Sequence, residues 1–284
     1  MKIGIIGGSG LYAMKELKVL RTEKVDTPFG DPSDEYVIGE LNGREIVFLP
    51  RHGKRHSILP SELNFRANIY GFKKLGISRI LSVSAVGSLK KEIVPGHIVF
   101  PDQFIDRTFG RHSTFFGNGI VAHVSFADPV CGDLLGVVSE AAKRAGAALH
   151  VGGAYVCMEG PQFSTRAESH MYRSWGASVI GMTNLNEAKL AREAEMCYVT
   201  IALSTDYDCW YEEEEDVTTQ AILEVIKANV EMSQKIIKEA VSSIGGSCPA
   251  GCQSALENTI LTNPDSIPEK TKKDLEPIIG KYIS

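Results

Sequence analysis

What this 284-residue sequence lacks narrows its chemistry before any motif is weighed. No apolar run approaches the roughly 18 residues that a bilayer-spanning helix needs. No long basic tract is present and the net charge is -5, so electrostatics invites neither nucleic acid nor an anionic membrane as partner. Residues 1–10 place one lysine before an apolar patch, but glycines break the patch and no small-x-small cleavage site follows. A signal peptide is therefore not expected, and the expected location is cytoplasmic. Cysteine is sparse, with six residues at 131, 157, 197, 209, 248 and 252. The four isolated ones, Cys131, Cys157, Cys197 and Cys209, are expected as small buried hydrophobes. Cys248 and Cys252 form the one close pair. A four-ligand zinc site would want a second pair or histidines nearby, and none follows, so no metal site and free thiols are expected. Internal repeats and low-complexity linkers are also missing.

What is present reads as an ordinary globular protein, with 43% hydrophobic and 23% charged residues and enough chain for one large core or two modest ones. The stretch that stands out is Ser204-Thr205-Asp206-Tyr207-Asp208-Cys209-Trp210, entered from an apolar strand-like run, residues 196–203. Side chains two apart on a strand share a face, so Asp206 and Asp208 point the same way if the strand continues. Like charges that close oppose each other's ionisation and raise one pKa, and a carboxyl held partly protonated near neutrality is what a general acid requires. A solvated strand end before a turn would carry the same residues.

Other stretches supply different chemistry. Residues 2–6 form a buried strand, and Gly7-Gly8-Ser9-Gly10 a turn whose amides and Ser9 hydroxyl suit a phosphate. Gly8-Ser9-Gly10-Leu11-Tyr12-Ala13 also fits the G-x-G-x-x-A dinucleotide fingerprint, but residues 18–20 already look strand-like, leaving room for only about one turn of helix. Residues 35–41 and 44–49 alternate around Asn42-Gly43, a hairpin signal. The second of these strands ends in Pro50-Arg51-His52-Gly53-Lys54-Arg55-His56, where arginine and histidine suit an oxyanion, although most such charge runs are solvated loops. A helix is expected from Pro60 to Gly76, and a buried strand from Arg79 runs into Ser84-Ala85-Val86-Gly87-Ser88, the kind of small-residue strand end where α/β sheets bind ligands. Strands are expected over residues 97–105, 150–158 and 178–182, a helix over 129–145, and a loop over 109–122. His123 reads as a packed or surface histidine. Phe163 is either a core aromatic or a stacking face, and Thr165 with Glu168 forms a capping box. Asn184 with Glu187 is expected to cap the next helix in the same manner, with Thr183 placed for an anion at its N-terminus. Residues 211–216 read as a solvated helix start, and apolar spacings of three and four from 222 to 241 mark a long helix.

Gly7-Gly8-Ser9-Gly10-Leu11, Arg51-His52-Gly53, Met158-Glu159-Gly160-Pro161 with Phe163-Ser164 and Arg166-Ala167-Glu168-Ser169, and Thr205-Asp206-Tyr207-Asp208-Cys209-Trp210 together resemble the S-methyl-5'-thioadenosine phosphorylases of the purine nucleoside phosphorylase superfamily. The resemblance runs in unbroken order from about residue 3 to beyond residue 240. It implies a single α/β domain with a mixed, barrel-like central sheet flanked by helices, over residues 1–246, with 247–284 as a helical extension packed on it. It implies phosphorolysis of 5'-methylthioadenosine, with inorganic phosphate as co-substrate and no cofactor or metal. Ser9, Arg51, His52, Ser84, Ala85 and Thr183 would hold phosphate. Met182 would contact ribose, Phe163 would pack on the base, and Ser164, Asp206 and Asp208 would read the base edge, with Asp206 as general acid. Relatives are trimers or hexamers whose 5' pocket is completed by a neighbour, and His123 matches a histidine that reaches it. Thr219 falls where some relatives carry valine near that pocket, so adenosine is a second candidate substrate. Ser84 stands where many relatives have threonine. The rival readings are a water-using nucleosidase, a broader purine nucleoside phosphorylase acting also on 6-oxopurine nucleosides, and a nicotinamide-dependent oxidoreductase resting on the first glycine loop alone.

Overall fold

The structure is a computed structural model that describes residues 1–211 and 219–283, the side chains of Ser9, Tyr12 and residues 219–223 excepted. Buried β-branched residues and alternating patterns set the strands. β1 (Lys2–Gly7) is followed by a 3-10 turn at Ser9–Ala13, too short for a dinucleotide-binding helix, so the oxidoreductase reading fails here. β2 (Lys18–Glu23) precedes the hairpin of β3 (Tyr36–Leu41) and β4 (Arg44–Pro50). Asn42 and Gly43 both adopt positive φ, 52° and 74°, as a two-residue hairpin turn requires. α1 (Phe65–Lys74) begins later than Pro60, because Pro60–Glu62 is a separate 3-10 turn and Asn64 caps the helix by accepting from Ala67 N.

β5 (Ile77–Ser88) then runs for 12 residues. The strand expected over 97–105 is broken at Pro101-Asp102 into β6 (Ile98–Phe100) and β7 (Gln103–Arg107). α2 (Gly132–Arg144) has Cys131 as its N-cap. The strand expected over 150–158 is likewise two, β8 (Leu149–Val151) and β9 (Ala154–Met158), because Gly152 and Gly153 take φ values of +89° and +98° between them. α3 (Arg166–Ser174) carries the Thr165–Glu168 capping box as expected. β10 (Val179–Gly181), α4 (Asn184–Glu193), β11 (Cys197–Tyr207) and α5 (Thr219–Ser243) follow, then the short helices α6 (Glu269–Asp274) and α7 (Glu276–Ile283). Of the helix start expected at residues 211–216, Tyr211 lies outside any helix and 212–216 lie outside the described residues.

The strands form one mixed 11-stranded sheet in the order β2-β3-β4-β1-β5-β10-β9-β7, with β11 joined to β5 and β6, and β6 to β8. β5 is the hub. Neighbouring residues along it face opposite sides, so Leu81 and Val83 enter one apolar core with α2 and α5 while Ile80 enters another with α1, α4 and α7, and an irregularity between Ile77 and Ile80 sends Ile77 into that second core as well. Leu256, Ile267, Leu275, Ile278 and Ile279 carry the C-terminal segment into that second core.

Register around β5 creates an opening. β11 runs parallel to one edge from Arg79 to Ser88. On the other edge, pairing with β1 ends at Ser82, and antiparallel pairing with β10 starts only at Gly87. Ser84 and Ala85 lie in the gap where these two strands part. A glycine at 71 permits the close seating of α1 on β3: a Cβ there would stand 2.1 Å from the Tyr36 hydroxyl, which donates to Asn68 O at 2.7 Å. Gly71→Ala should therefore cost roughly 1–3 kcal/mol by overpacking. The check is a urea titration, with a lowered midpoint at unchanged slope expected.

Candidate active site

The gap in β5 is bordered by the ends of β1, β4 and β10. Arg51, just past β4, donates its backbone N–H to Gly7 O at 2.9 Å, which fixes where its side chain enters. The guanidinium is buried, 3% exposed, and reaches across to the first turn of α4. Its Nε donates to Glu187 Oε1 at 2.5 Å, Nη2 to Glu187 Oε2 at 3.3 Å and to Ser82 Oγ at 2.7 Å, and Nη1 to Val83 O at 2.9 Å. Four of the five guanidinium hydrogens are thus committed inside the protein. Burial works against the charge on Arg51, but the Glu187 carboxylate outweighs it and holds the guanidinium above its ordinary pKa.

Asn184 and Glu187 do not cap α4. Thr183 is the N-cap, without a side-chain cap bond, and the two expected capping residues are buried and turned under the sheet. Asn184 Oδ1 accepts from Ser84 Oγ at 2.7 Å, Tyr155 Oη at 3.1 Å and Thr183 Oγ1 at 3.3 Å. Its Nδ2 faces Ser82 Oγ, Tyr198 Oη and Thr200 Oγ1 at 3.0 to 3.1 Å. Ser82 Oγ and Tyr198 Oη in turn donate to Glu187 Oε2, at 2.6 and 2.9 Å. Arg51, Ser84 and Thr183 therefore hang from one buried polar network. Gly181 makes room for it, since a Cβ there would meet the Tyr155 hydroxyl at 2.0 Å.

His52 lies beside this network, its ring 4.7 Å from that of His56. Its Nδ1–H donates to Ile58 O at 2.8 Å, which leaves Nε2 as the free nitrogen. Burial, with Arg51 and His56 adding, depresses its pKa, so the ring favours the neutral form. Of the Ser9 side chain nothing is described, and Thr219 likewise lies outside the described side chains.

At the far end of the gap the two aspartates meet β5. β11 is irregular between Ser204 and Asp206, and beyond that shift Asp206 pairs with Gly87. A Cβ at Gly87 would stand 3.2 Å from Asp206 Oδ1 and 3.4 Å from Asp208 Cβ, so both residues crowd one face of that glycine. Asp206 is open to solvent on one side and accepts from Thr205 Oγ1 at 2.6 Å. The protein packed around its other sides raises its pKa, and the neighbouring Asp208 adds to that. Asp208 is buried, and among the described residues its Oδ2 has no hydrogen-bond partner.

The loop after β9 closes this end. Phe163 is 82% exposed, which removes the core-aromatic reading and leaves a free aromatic face. Ser164 O accepts from Cys209 Sγ at 3.3 Å, tying the loop to the Asp208 segment. Cys209 is exposed, against the expectation of burial. Met182 packs flat on Gly160, whose missing Cβ would sit 2.6 Å from the Met182 sulfur. The backbone N–H of His123 donates to Thr259 O at 3.1 Å, in the C-terminal segment.

Comparison with known proteins sharpens the reading. A sequence profile described as the phosphorylase superfamily matches residues 2–242. The S-methyl-5'-thioadenosine phosphorylase of Geobacter sulfurreducens is 61% identical over 282 residues, 99% of either chain. The chain belongs to the S-methyl-5'-thioadenosine phosphorylase family. Among solved members of this family, a methylthioadenosine phosphorylase from an antarctic soil metagenomic library superposes with a TM-score of 0.93 at 48% identity, covering 97% of this chain and 98% of that one. A variant of the adenosine/methylthioadenosine phosphorylase of Schistosoma mansoni, solved in complex with methylthioadenosine, gives 0.83 at 36% identity over 91% and 99% of the two chains.

Three residues of this phosphorylase-family site escaped sequence reasoning. Asn184 and Glu187 were hidden by a pattern that matches a capping box. Arg111 sat in a stretch read only as a loop. Its side chain is 2% exposed and ion-paired to Glu159 at 3.0 Å, and it donates to Met182 O at 2.6 Å, joining the loops that follow β9 and β10. A lone arginine in a glycine-rich, aromatic loop of an acidic chain was the one available signal. Glu187→Ala should leave Arg51 buried and unpaired, at a cost of about 3–5 kcal/mol. Chemical denaturation of that variant beside Glu187→Gln measures it, with the glutamine form expected to lose less.

Proposed function

We propose that the chain cleaves 5'-methylthioadenosine with inorganic phosphate, giving adenine and 5-methylthioribose 1-phosphate. The observation that carries this reading is one stretch of β5 with an oxyanion set at one end and a raised-pKa acid at the other. Ser84 and Gly87 are three residues apart, about 10 Å along a strand. That separation lets a ribose lie between a phosphate at Ser84, Ala85 and Thr183 and a purine against Asp206 and Asp208.

In the reaction a phosphate oxygen forms a bond to the ribose anomeric carbon as the bond from that carbon to purine N9 breaks. The electron pair of the broken bond leaves with adenine, which is a poor leaving group unless N7 gains a proton. Asp206, whose pKa is raised by burial and by Asp208, is the group placed to supply it. The ribosyl group turns cationic as the base departs, and the phosphate dianion beneath it is both counter-charge and nucleophile. Ala85, the Ser9 loop, the one remaining Arg51 hydrogen, and the Ser84 and Thr183 hydroxyls as they turn their hydrogens from Asn184 Oδ1 to phosphate oxygens orient that phosphate. His52 Nε2 accepts a proton from it or, once protonated, donates to it. Phe163 stacks on the base, Ser164 and Asp208 read its edge, and Met182 lies along the ribose. Asp206 donates to N7 when protonated and accepts from the 6-amino group when ionised, and Asp208 Oδ2, without a partner among the described residues, offers a further acceptor, so 6-aminopurines are favoured over 6-oxopurines.

Phosphate is the co-substrate and no organic cofactor is required. The assembly is a trimer or a dimer of trimers in the cytoplasm, in which His123 reaches a neighbour's 5' pocket. The description of the Schistosoma mansoni relative as an adenosine/methylthioadenosine phosphorylase supports adenosine as a second candidate substrate for this chain.

Incubation with methylthioadenosine should release adenine only when phosphate is present, and release without phosphate would make the chain a nucleosidase. Asp206→Asn should lower kcat by roughly 10²–10⁴ on methylthioadenosine and shift preference toward inosine-type substrates. Retention of full adenine preference would refute this account of base choice. The sign of the pH dependence follows from the raised pKa. The active form is the protonated acid, so kcat/KM should fall as pH rises through the Asp206 titration. In Asp206→Asn that alkaline limb should vanish, which a pH–rate profile reads directly.

A further inference from the structure

The other end of β5 and β11 holds a second constellation that phosphorolysis does not use. The sulfurs of Cys131, Cys197, Cys248 and Cys252 all lie within 4.8 Å of one another. Cys248 and Cys252 looked like a pair without partners in sequence; the fold supplies the missing two from 117 residues upstream of Cys248 and from the start of β11. Cys131, Cys197 and Cys252 are buried and Cys248 is half-buried. From these residues we propose a structural zinc site with four thiolate ligands, which fastens the segment after α5 to the base of the sheet.

Four observations support the ion. Zinc–sulfur bonds of about 2.3 Å in a tetrahedron set neighbouring sulfurs about 3.8 Å apart. Cys131 and Cys248 stand at 3.7 Å, far beyond the roughly 2.05 Å of a disulfide. The Cys248-Pro249-Ala250-Gly251-Cys252 spacing falls within the range zinc loops use, and Gly251, at φ +71°, takes the left-handed turn that brings the two sulfurs together. N–H donors already face the sulfurs, Leu134 N toward Cys131 at 3.4 Å and Arg79 Nη1 toward Cys197 at 2.9 Å, the kind of outer contact that steadies thiolate ligands.

The fourth observation is independent of spacing. Arg79 is 1% exposed, and its other contacts are the carbonyls of Gly245 and Ser247. Among the described residues no carboxylate pairs with it. A buried guanidinium beside four neutral thiols lacks any counter-charge. When zinc binds, each thiol gives its proton to water as its sulfur–zinc bond forms, and four thiolates with one divalent ion leave a net charge of minus two next to Arg79. The ligand set is closed, with no open position for substrate. Cys197 is nine residues from Asp206 along β11, roughly 30 Å. The ion is therefore structural.

The test is elemental analysis of the full chain, purified from zinc-containing medium without chelator, together with the intact mass of the denatured chain under non-reducing conditions. One zinc per chain with all six cysteines reduced is the expected result. Stoichiometric absence of metal with free thiols overturns the proposal, and so does a mass showing two disulfides. Cys248→Ser/Cys252→Ser should lower zinc content by roughly tenfold or more, whereas Cys157→Ser should keep it. Should the double variant fail to fold, the zinc content of the unaltered chain still decides.

Discussion

One buried carboxylate, Glu187, fixes the geometry of the site. Without it the Arg51 guanidinium would be a charge at 3% exposure with no carboxylate to meet it, and the first turn of α4 would be held under β5 by Asn184 alone. A desolvated ion pair contributes little net stability compared with an apolar pair of the same shape. What it provides is position: Arg51, Ser82, Tyr198 and, through Asn184, Ser84 and Thr183 are locked relative to one another. This arrangement limits what Arg51 can do. With one hydrogen left, it cannot grip an anion with a two-pronged fork. Under the proposed phosphorolysis, attraction for phosphate comes chiefly from strand-edge amides and the N-terminus of α4 at Thr183, joined by the Ser84 and Thr183 hydroxyls only when these turn their hydrogens away from Asn184 Oδ1.

The place of the opening follows from strand lengths. β1 has six residues and β5 has twelve, so β1 cannot cover the edge it starts. β10 takes up that edge from the opposite direction, and the residues between the two partners face a crevice. Parallel pairing on the other edge carries β11 to the same level, and its register shift after Ser204 brings Asp206 beside Gly87. Asp206 and the gap at Ser84 and Ala85 are thus neighbours because β11 and the gap both lie along β5, and the missing side chain of Gly87 keeps the two aspartates close to that strand.

Much of this was legible from local pattern. Asn42-Gly43 announced its hairpin, the apolar runs into Ser84 and Asp206 announced the two long strands, and Thr165 with Glu168 announced a capped helix. The limits of local pattern show best in Asn184 and Glu187, which carry the same signature as Thr165 and Glu168. The first pair lies under the sheet and the second in solvent, and the difference is set by Arg51, 136 residues from Glu187. No window on the sequence contains that partner. The breaks at Pro101-Asp102 and Gly152-Gly153 were missed for a simpler reason: the apolar runs continue on either side, while backbone geometry at the junction ends each strand.

The two ends of β5 pose the same electrostatic problem and answer it differently. Arg51 meets β5 at Ser82 and Val83, and Arg79 belongs to β5 itself; both guanidiniums are out of water. A charge so placed needs an opposite charge within a few ångströms or a large cost follows. At the end facing substrate the counter-charge is a carboxylate whose remaining lone pairs organise hydroxyl donors. At the opposite end, among the described residues, the groups able to take negative charge near Arg79 are sulfurs. Thiolates gathered that tightly repel one another unless a cation sits among them. The same rule that explains Glu187 under the active site therefore calls for a metal at the base of the sheet, where the C-terminal segment returns to the core.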